Sequence, residues 1–173
     1  MAVSVTRKAV GIGLTDAVAL LFVYLVPALS HLTSLPFYLI DPMRVAVLGA
    51  LLVSKDWRNG LALALTLPLF SFAVSGHPVF PKFLVIAAEL SVNVLLFVWL
   101  SRVFGRRFGS RVAVGAAAFL SILLSKVLYY GLKALVLTAG LMQSELVATA
   151  LWAQLAVAVL LSLGFAIWWK KTY

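Results

Sequence analysis

Six apolar runs, each cut off from the next by a short polar or Gly/Pro-rich connector, leave this chain little choice of fold. They cover about Ala9–Leu29, Tyr38–Val53, Leu61–Val74, Lys82–Leu100, Val112–Thr138 and Leu146–Trp169. A helix of about 20 apolar residues is long enough to cross a bilayer core. There it satisfies its own backbone N–H and C=O groups, which hydrocarbon cannot do. Composition agrees. The chain is 64% hydrophobic and 11% charged, whereas soluble domains are about a quarter charged. The expectation is an all-α integral membrane protein, a single six-transmembrane-helix bundle over residues 1–173.

The second and third runs are short for a span, and the third contains Pro68. Short spans are tolerated where a helix lines a protein-enclosed cavity; a kinked bundle helix is the plainer reading. Arg7-Lys8, the apolar run after them and Val26-Pro27-Ala28 resemble a signal peptide. The run is too long for one, and Asp16 interrupts it, so a retained first span is expected.

Charge placement predicts the orientation. With the N-terminus cytoplasmic, the inner segments carry Arg7, Lys8, Lys55, Arg58, Arg102, Arg106, Arg107, Arg111, Lys170 and Lys171, and the outer connectors carry almost none. The positive-inside rule then puts both termini in the cytoplasm, with Trp168-Trp169 as an interfacial anchor. The net charge of +9 is therefore topogenic and does not point to nucleic acid. With no cysteine and two histidines, His31 and His77, neither a metal site nor a cofactor is expected.

Once the topogenic charges are set aside, Asp16, Asp41, Arg44, Lys82, Glu89, Lys126, Lys133 and Glu145 remain in or beside apolar sequence. A cation at mid-membrane costs roughly 2.5–3.5 kcal/mol on insertion scales, so such groups pair or line a wet cavity. Lys82, Glu89 and Asn93 fall close to one helical face. Lys126, Tyr129, Tyr130 and Lys133 form a polar and aromatic stripe with Ser125 beside it, and Asp41 and Arg44 can meet at i, i+3. The connector from Ser75 to Lys82 contains Gly76, His77, Pro78 and Pro81, which force a rigid turn. In the predicted topology Arg44, His77, Lys82, Glu89, Lys126 and Lys133 share the outer half, while Asp16 lies in the inner half, so one outward-open polar cavity is expected, with His77 near its entrance. Internal pairing, such as Lys126 with Glu89, is the alternative, and Lys82 and Lys133 could instead snorkel to the interface. Ala9, Gly13 and Ala17 make a small-xxx-small face around Asp16; spacing alone favours close packing within the bundle.

These features resemble the membrane-embedded S component of energy-coupling-factor (ECF) transporters, which import vitamins and micronutrients in prokaryotes. The segment Leu67-Pro68-Leu69-Phe70-Ser71-Phe72-Ala73-Val74-Ser75-Gly76-His77-Pro78 and the later Ala87-Ala88-Glu89-Leu90 are similar to the third-to-fourth-helix region of such proteins. The resemblance implies substrate capture from outside, across the cytoplasmic membrane. The energy would come from a separate transmembrane coupling subunit and two cytoplasmic ATPases, consistent with a chain lacking a G-x-x-x-x-G-K-[ST] loop. It also implies that Ala9, Gly13 and Ala17 dock the coupling subunit, with Gly13 replacing one alanine of the family's motif. Candidate substrate-binding residues are Arg44, His77, Lys82, Glu89, Asn93, Lys126, Tyr129, Tyr130, Lys133 and Trp152. Their cation excess suggests a carboxylate or phosphate ligand, and Tyr129, Tyr130 and Trp152 a stacking surface.

Three other functions fit parts of the pattern. A non-catalytic multispan scaffold of a cell-envelope complex would pair its buried charges without a cavity. An intramembrane enzyme would need His77 and Glu89 as base and acid, but the chain lacks a G-x-S-x-G elbow. A stand-alone facilitator would need no ATPase.

Overall fold

In a computed structural model of the chain, residues 2–33, 37–76, 78–105, 110–142, 146 and 150–168 are described. All regular structure among them is helical. The helices are α1 (Ala2–Thr33), α2 (Pro42–Ser54), α3 (Trp57–Ser75), α4 (Lys82–Gly105), α5 (Ser110–Thr138) and α6 (Leu151–Trp168), with a 3-10 turn at Phe37–Ile40 before α2. Segments of five helices are long and apolar enough to cross a membrane: Val10–Ser30, Trp57–Ser75, Lys82–Gly105, Arg111–Thr138 and Leu151–Trp168. With large apolar side chains exposed, among them Leu14, Leu65, Trp99, Val127 and Leu160, this is a multi-pass membrane protein.

The boundaries differ from the apolar runs for local reasons. The second run is split at Asp41. Pro42 suits the first helical position, and Asp41 before it is the N-cap, outside the right-handed helix at φ 51°, ψ 66°. That leaves α2 with 13 residues, about 20 Å at 1.5 Å per residue, short for a bilayer core. The third run, in contrast, becomes a 19-residue helix, not a short one. Asp56 Oδ1 accepts a hydrogen bond from the Arg58 N–H at 3.1 Å, an N-cap that starts α3 at Trp57. The polar residues Arg58, Asn59 and Gly60 are thus its first turn and not a loop. Gly76, at φ 69°, closes α3 by donating its N–H to Phe72 O at 2.9 Å. A Schellman pair ends α5: Gly140 N–H donates to Leu137 O and Leu141 N–H to Val136 O. The last helix starts at Leu151, five residues into the sixth run.

Helices α3, α4, α5 and α6 pack in sequence order as neighbours, while α1 lies against α2, α3 and the 3-10 turn. The core joins Val47, Leu48 and Leu51 of α2, Leu63, Ala64 and Leu67 of α3, and Leu90, Val94 and Phe97 of α4 to Ala117, Ala118 and Ile122 of α5 and Phe165 of α6. Phe97 and Phe165 meet edge to face, 4.8 Å between centroids. Pro68 is buried on the core face of α3, as a bundle helix requires. Alpha-helices 5 and 6 touch closely at Gly115: a Cβ built there lies 3.0 Å from Ala166 Cβ and 3.3 Å from Ser162 O.

Candidate functional site

One end of the bundle gathers the ends of five helices. The 3-10 turn leads into α2 there, α3 finishes, α4 starts, α5 finishes and α6 starts. Between them is a partly open cavity of about 350 Å³, within the range of small-molecule sites. Leu39, Asp41, Pro42 and Met43 form one wall, and Ser71, Pro78, Lys82, Ile86 and Glu89 another. The α5 residues Lys126, Tyr129, Tyr130 and Lys133 form the third, closed by Leu146 and Gln154. Helical spacing explains the α5 wall: Ser121, Ser125, Tyr129 and Lys133 follow one another at i+4, and Lys126 and Tyr130 form a parallel row.

At the cavity floor four charged groups form a closed ring. Arg44 Nε donates to Asp41 Oδ2 at 3.0 Å, and its Nη2 donates to Glu89 Oε1. Lys126 Nζ completes the ring, 3.0 Å from Asp41 Oδ2 and 3.1 Å from Glu89 Oε1. Arg44 Nη1 points to Ser125 Oγ at 3.3 Å and Ile122 O at 3.5 Å. Two carboxylates thus balance two cations. The Arg44 and Glu89 side chains are 1% and 3% exposed, whereas Asp41 is 27% exposed. Burial of this kind is tolerable only because each charge has partners and the sum is neutral.

Around the ring, Tyr129 lies between two ammonium groups, its ring centroid 5.1 Å from Lys126 Nζ and 5.9 Å from Lys133 Nζ, both within cation–π reach. Lys133 is buried and donates to Leu146 O at 3.0 Å, so it does not snorkel to the interface. Tyr129 and Tyr130 meet edge to face. The Tyr130 hydroxyl lies 2.7 Å from Gln154 Nε2 and 3.0 Å from Oε1.

The structure thus brings Lys82, Glu89, Lys126, Tyr129, Tyr130 and Lys133 to one cavity, and it separates other candidates from it. Trp152 is 71% exposed and does not line the cavity. It precedes Gln154 by two residues, about 200° of helix rotation, so the face that presents Gln154 turns Trp152 away. Gln154 was missed because the charged residues drew attention; its amide in an otherwise apolar run was the available signal. Arg44 is not a lining residue either, since its donors are taken by the ring and α5. Asn93 lies one turn deeper than Glu89, fully buried, with Nδ2 donating to Ser121 Oγ at 3.0 Å. His77 lies outside the described residues.

Away from the cavity, Asp16 has a partner that its spacing did not disclose: Asn59 Nδ2 donates to its Oδ1 at 2.9 Å. The small-residue face of α1 is not packed within the bundle as its spacing favoured. Gly13 and Ala17 are exposed, and a Cβ on Gly13 meets nothing within 4 Å. The buried side of α1 is Ala19, Val23 and Val26, across the helix from Ala17. The side chain of Ala9 lies outside the described residues. No family model, curated protein or solved structure matches the chain.

Proposed function

We propose that this chain is the substrate-capture S subunit of an ECF-type importer and binds an anionic small molecule in the cavity between α2, α4, α5 and α6. The observation that carries the reading is the cavity itself, about 350 Å³ and lined by ammonium groups, two tyrosines and a glutamine in an otherwise apolar chain. The reading takes α2 as a sixth, short span, sheltered by its neighbours. Both termini are then cytoplasmic by the positive-inside rule, the membrane is the prokaryotic cytoplasmic membrane, and the cavity opens outward. Lys82, Lys126 and Lys133 would hold a carboxylate or phosphate, Tyr129 would face a planar group, and Gln154 would hydrogen-bond a polar substituent. The exposed Gly13 and Ala17 would meet the transmembrane coupling subunit, which with two ATPases supplies the work.

Native mass spectrometry of the purified protein tests the cavity: a co-purifying anionic metabolite is expected, and Lys126→Met should lose it. Docking is tested by Gly13→Leu with Ala17→Leu. Because both positions are exposed, the fold should survive while co-purification with the coupling subunit and substrate uptake disappear. An intact complex with normal uptake refutes the docking assignment.

The charge ring favours one competing reading, a non-catalytic membrane scaffold, because the ring is complete without a ligand. That reading expects no retained metabolite and no dependence of function on an ATPase.

A further inference from the structure

Asp41 differs from its ring partners in three ways. It is the most exposed member of the ring, at 27%, and it lines the cavity. Its backbone is also in the left-handed region, φ 51°, ψ 66°, which L-residues seldom occupy and which the following Pro42 disfavours further. Its carboxylate is held by Arg44 Nε and Lys126 Nζ, both at 3.0 Å, and its carbonyl accepts the Val45 N–H at 3.1 Å, the first bond of α2. Without the carboxylate contacts, only the Val45 bond opposes relaxation toward the extended conformation that a residue before proline prefers.

Removing the Asp41 carboxylate leaves the rest of the ring in place. Arg44 keeps Glu89, Ser125 and the Ile122 carbonyl, and Lys126 keeps Glu89 at 3.1 Å. What remains is two cations against one carboxylate, short of a single negative charge at the cavity floor. A ligand monoanion entering the cavity meets Lys126 at that position.

We propose that Asp41 is a built-in competitor for the ligand: its carboxylate occupies the place on Lys126 that the ligand's carboxylate or phosphate takes, and binding displaces it toward the cavity mouth. For a monoanion the exchange conserves charge, so the buried ring is neutral with or without ligand. A neutral ligand cannot take the carboxylate's place on Lys126, so Asp41 stays where it is and only anions feel the competition. Because Asp41 joins the 3-10 turn to α2, its release also frees the wall that carries Leu39. This inference rests on the cavity being an anion-binding site.

The test uses the full chain in lipid nanodiscs, with benzoate, phenyl phosphate and neutral benzamide as probes in titration calorimetry. Asp41→Asn should tighten benzoate or phenyl phosphate by about tenfold, as expected for removing a close competing charge, and leave benzamide unchanged. Lys126→Met should weaken the anions and cancel the effect of Asp41→Asn in the double variant. Ligand-free Asp41→Asn should melt at lower temperature than the native chain, and either bound anion should raise its melting point more than that of the native chain. Anion affinity that is unchanged or weaker in Asp41→Asn, or no such rescue, overturns the competitor role while leaving the cavity reading intact. If neither anion binds the native chain or Asp41→Asn at millimolar concentration, the anion-binding reading fails and this inference with it.

Discussion

Deleting the Arg44 guanidinium should destabilise the protein far more than deleting it together with Glu89. Arg44 makes two close charge contacts, with Asp41 at 3.0 Å and with Glu89. Each is worth about 5 kcal/mol of Coulomb attraction at an effective dielectric near 20. Arg44→Met forfeits both. In return it removes the repulsion from Lys126 and the desolvation of the guanidinium, several kcal/mol per ion. The net loss should be about 3–5 kcal/mol, typical of leaving a buried charge uncompensated. Glu89→Met should cost a similar amount, since Arg44 and Lys126 then share Asp41 alone. In Arg44→Met with Glu89→Met, the Asp41–Lys126 pair at 3.0 Å survives and the site is neutral again. That double variant should cost less than either single one, with a coupling energy of about 2 kcal/mol or more, within the range for residues of one network. The assay is unfolding in mixed micelles by titration with a denaturing detergent, followed by far-UV circular dichroism. Additive costs, or single variants each losing under about 1 kcal/mol, the ordinary worth of an exposed pair, would refute the claim that these charges act as one buried unit.

Three further outcomes follow from particular contacts. Gly115→Ala puts a Cβ 3.0 Å from Ala166 Cβ and should cost about 1–3 kcal/mol by overpacking the α5–α6 seam; Gly131→Ala, with nothing within 4 Å, should be neutral or stabilising in the same unfolding assay. Asn59→Leu strips Asp16 of its 2.9 Å donor and should cost about 1–3 kcal/mol, whereas Asp16→Leu with Asn59→Leu should recover most of that loss. Tyr130→Phe leaves the Gln154 amide without the hydroxyl at 2.7 Å; co-purified ligand, counted by native mass spectrometry, should fall several-fold while helicity stays constant.

How much of this was legible in the sequence depends on the range of the contact. Apolar length predicted the helices, and the i+4 rows of α5 placed Lys126, Tyr129, Tyr130 and Lys133 on one side without a structure. Short-range chemistry was also present but easily misread: Asp41-Pro42 splits a run that hydropathy joins, and Asp56 starts a helix in what polarity marks as a loop. What periodicity cannot supply is the rotation of a helix about its own axis against its neighbours. Trp152 and Gln154, two residues apart on α6, therefore exchanged roles. The same limit hid the partner of Asp16, which is 43 residues away in sequence. Gly13 and Ala17 show it most clearly, since a small-residue row states that a close approach is possible and leaves open which helix makes it.

The ring also changes how the cavity's charge must be read. Counting cations along the sequence makes Arg44 and Lys126 look like two anchors waiting for an anion. Unpaired in an apolar bundle, however, they would destabilise the empty protein by several kcal/mol each, so a chain that must fold before it meets its ligand has to carry their counter-ions. Asp41 and Glu89 are those counter-ions, and they cannot both be permanent if Lys126 is to hold a ligand. Their burial separates them. Glu89, 3% exposed and gripped by Arg44, can leave only by breaking the α2–α4 contact. Asp41, at the cavity wall, can leave at the expense of the first turn of α2 alone, where its carbonyl accepts the Val45 N–H at 3.1 Å. If Asp41 is the ligand's competitor, stability without ligand and affinity for it are set against each other at a single carboxylate, so a substitution that weakens the empty protein there should strengthen binding.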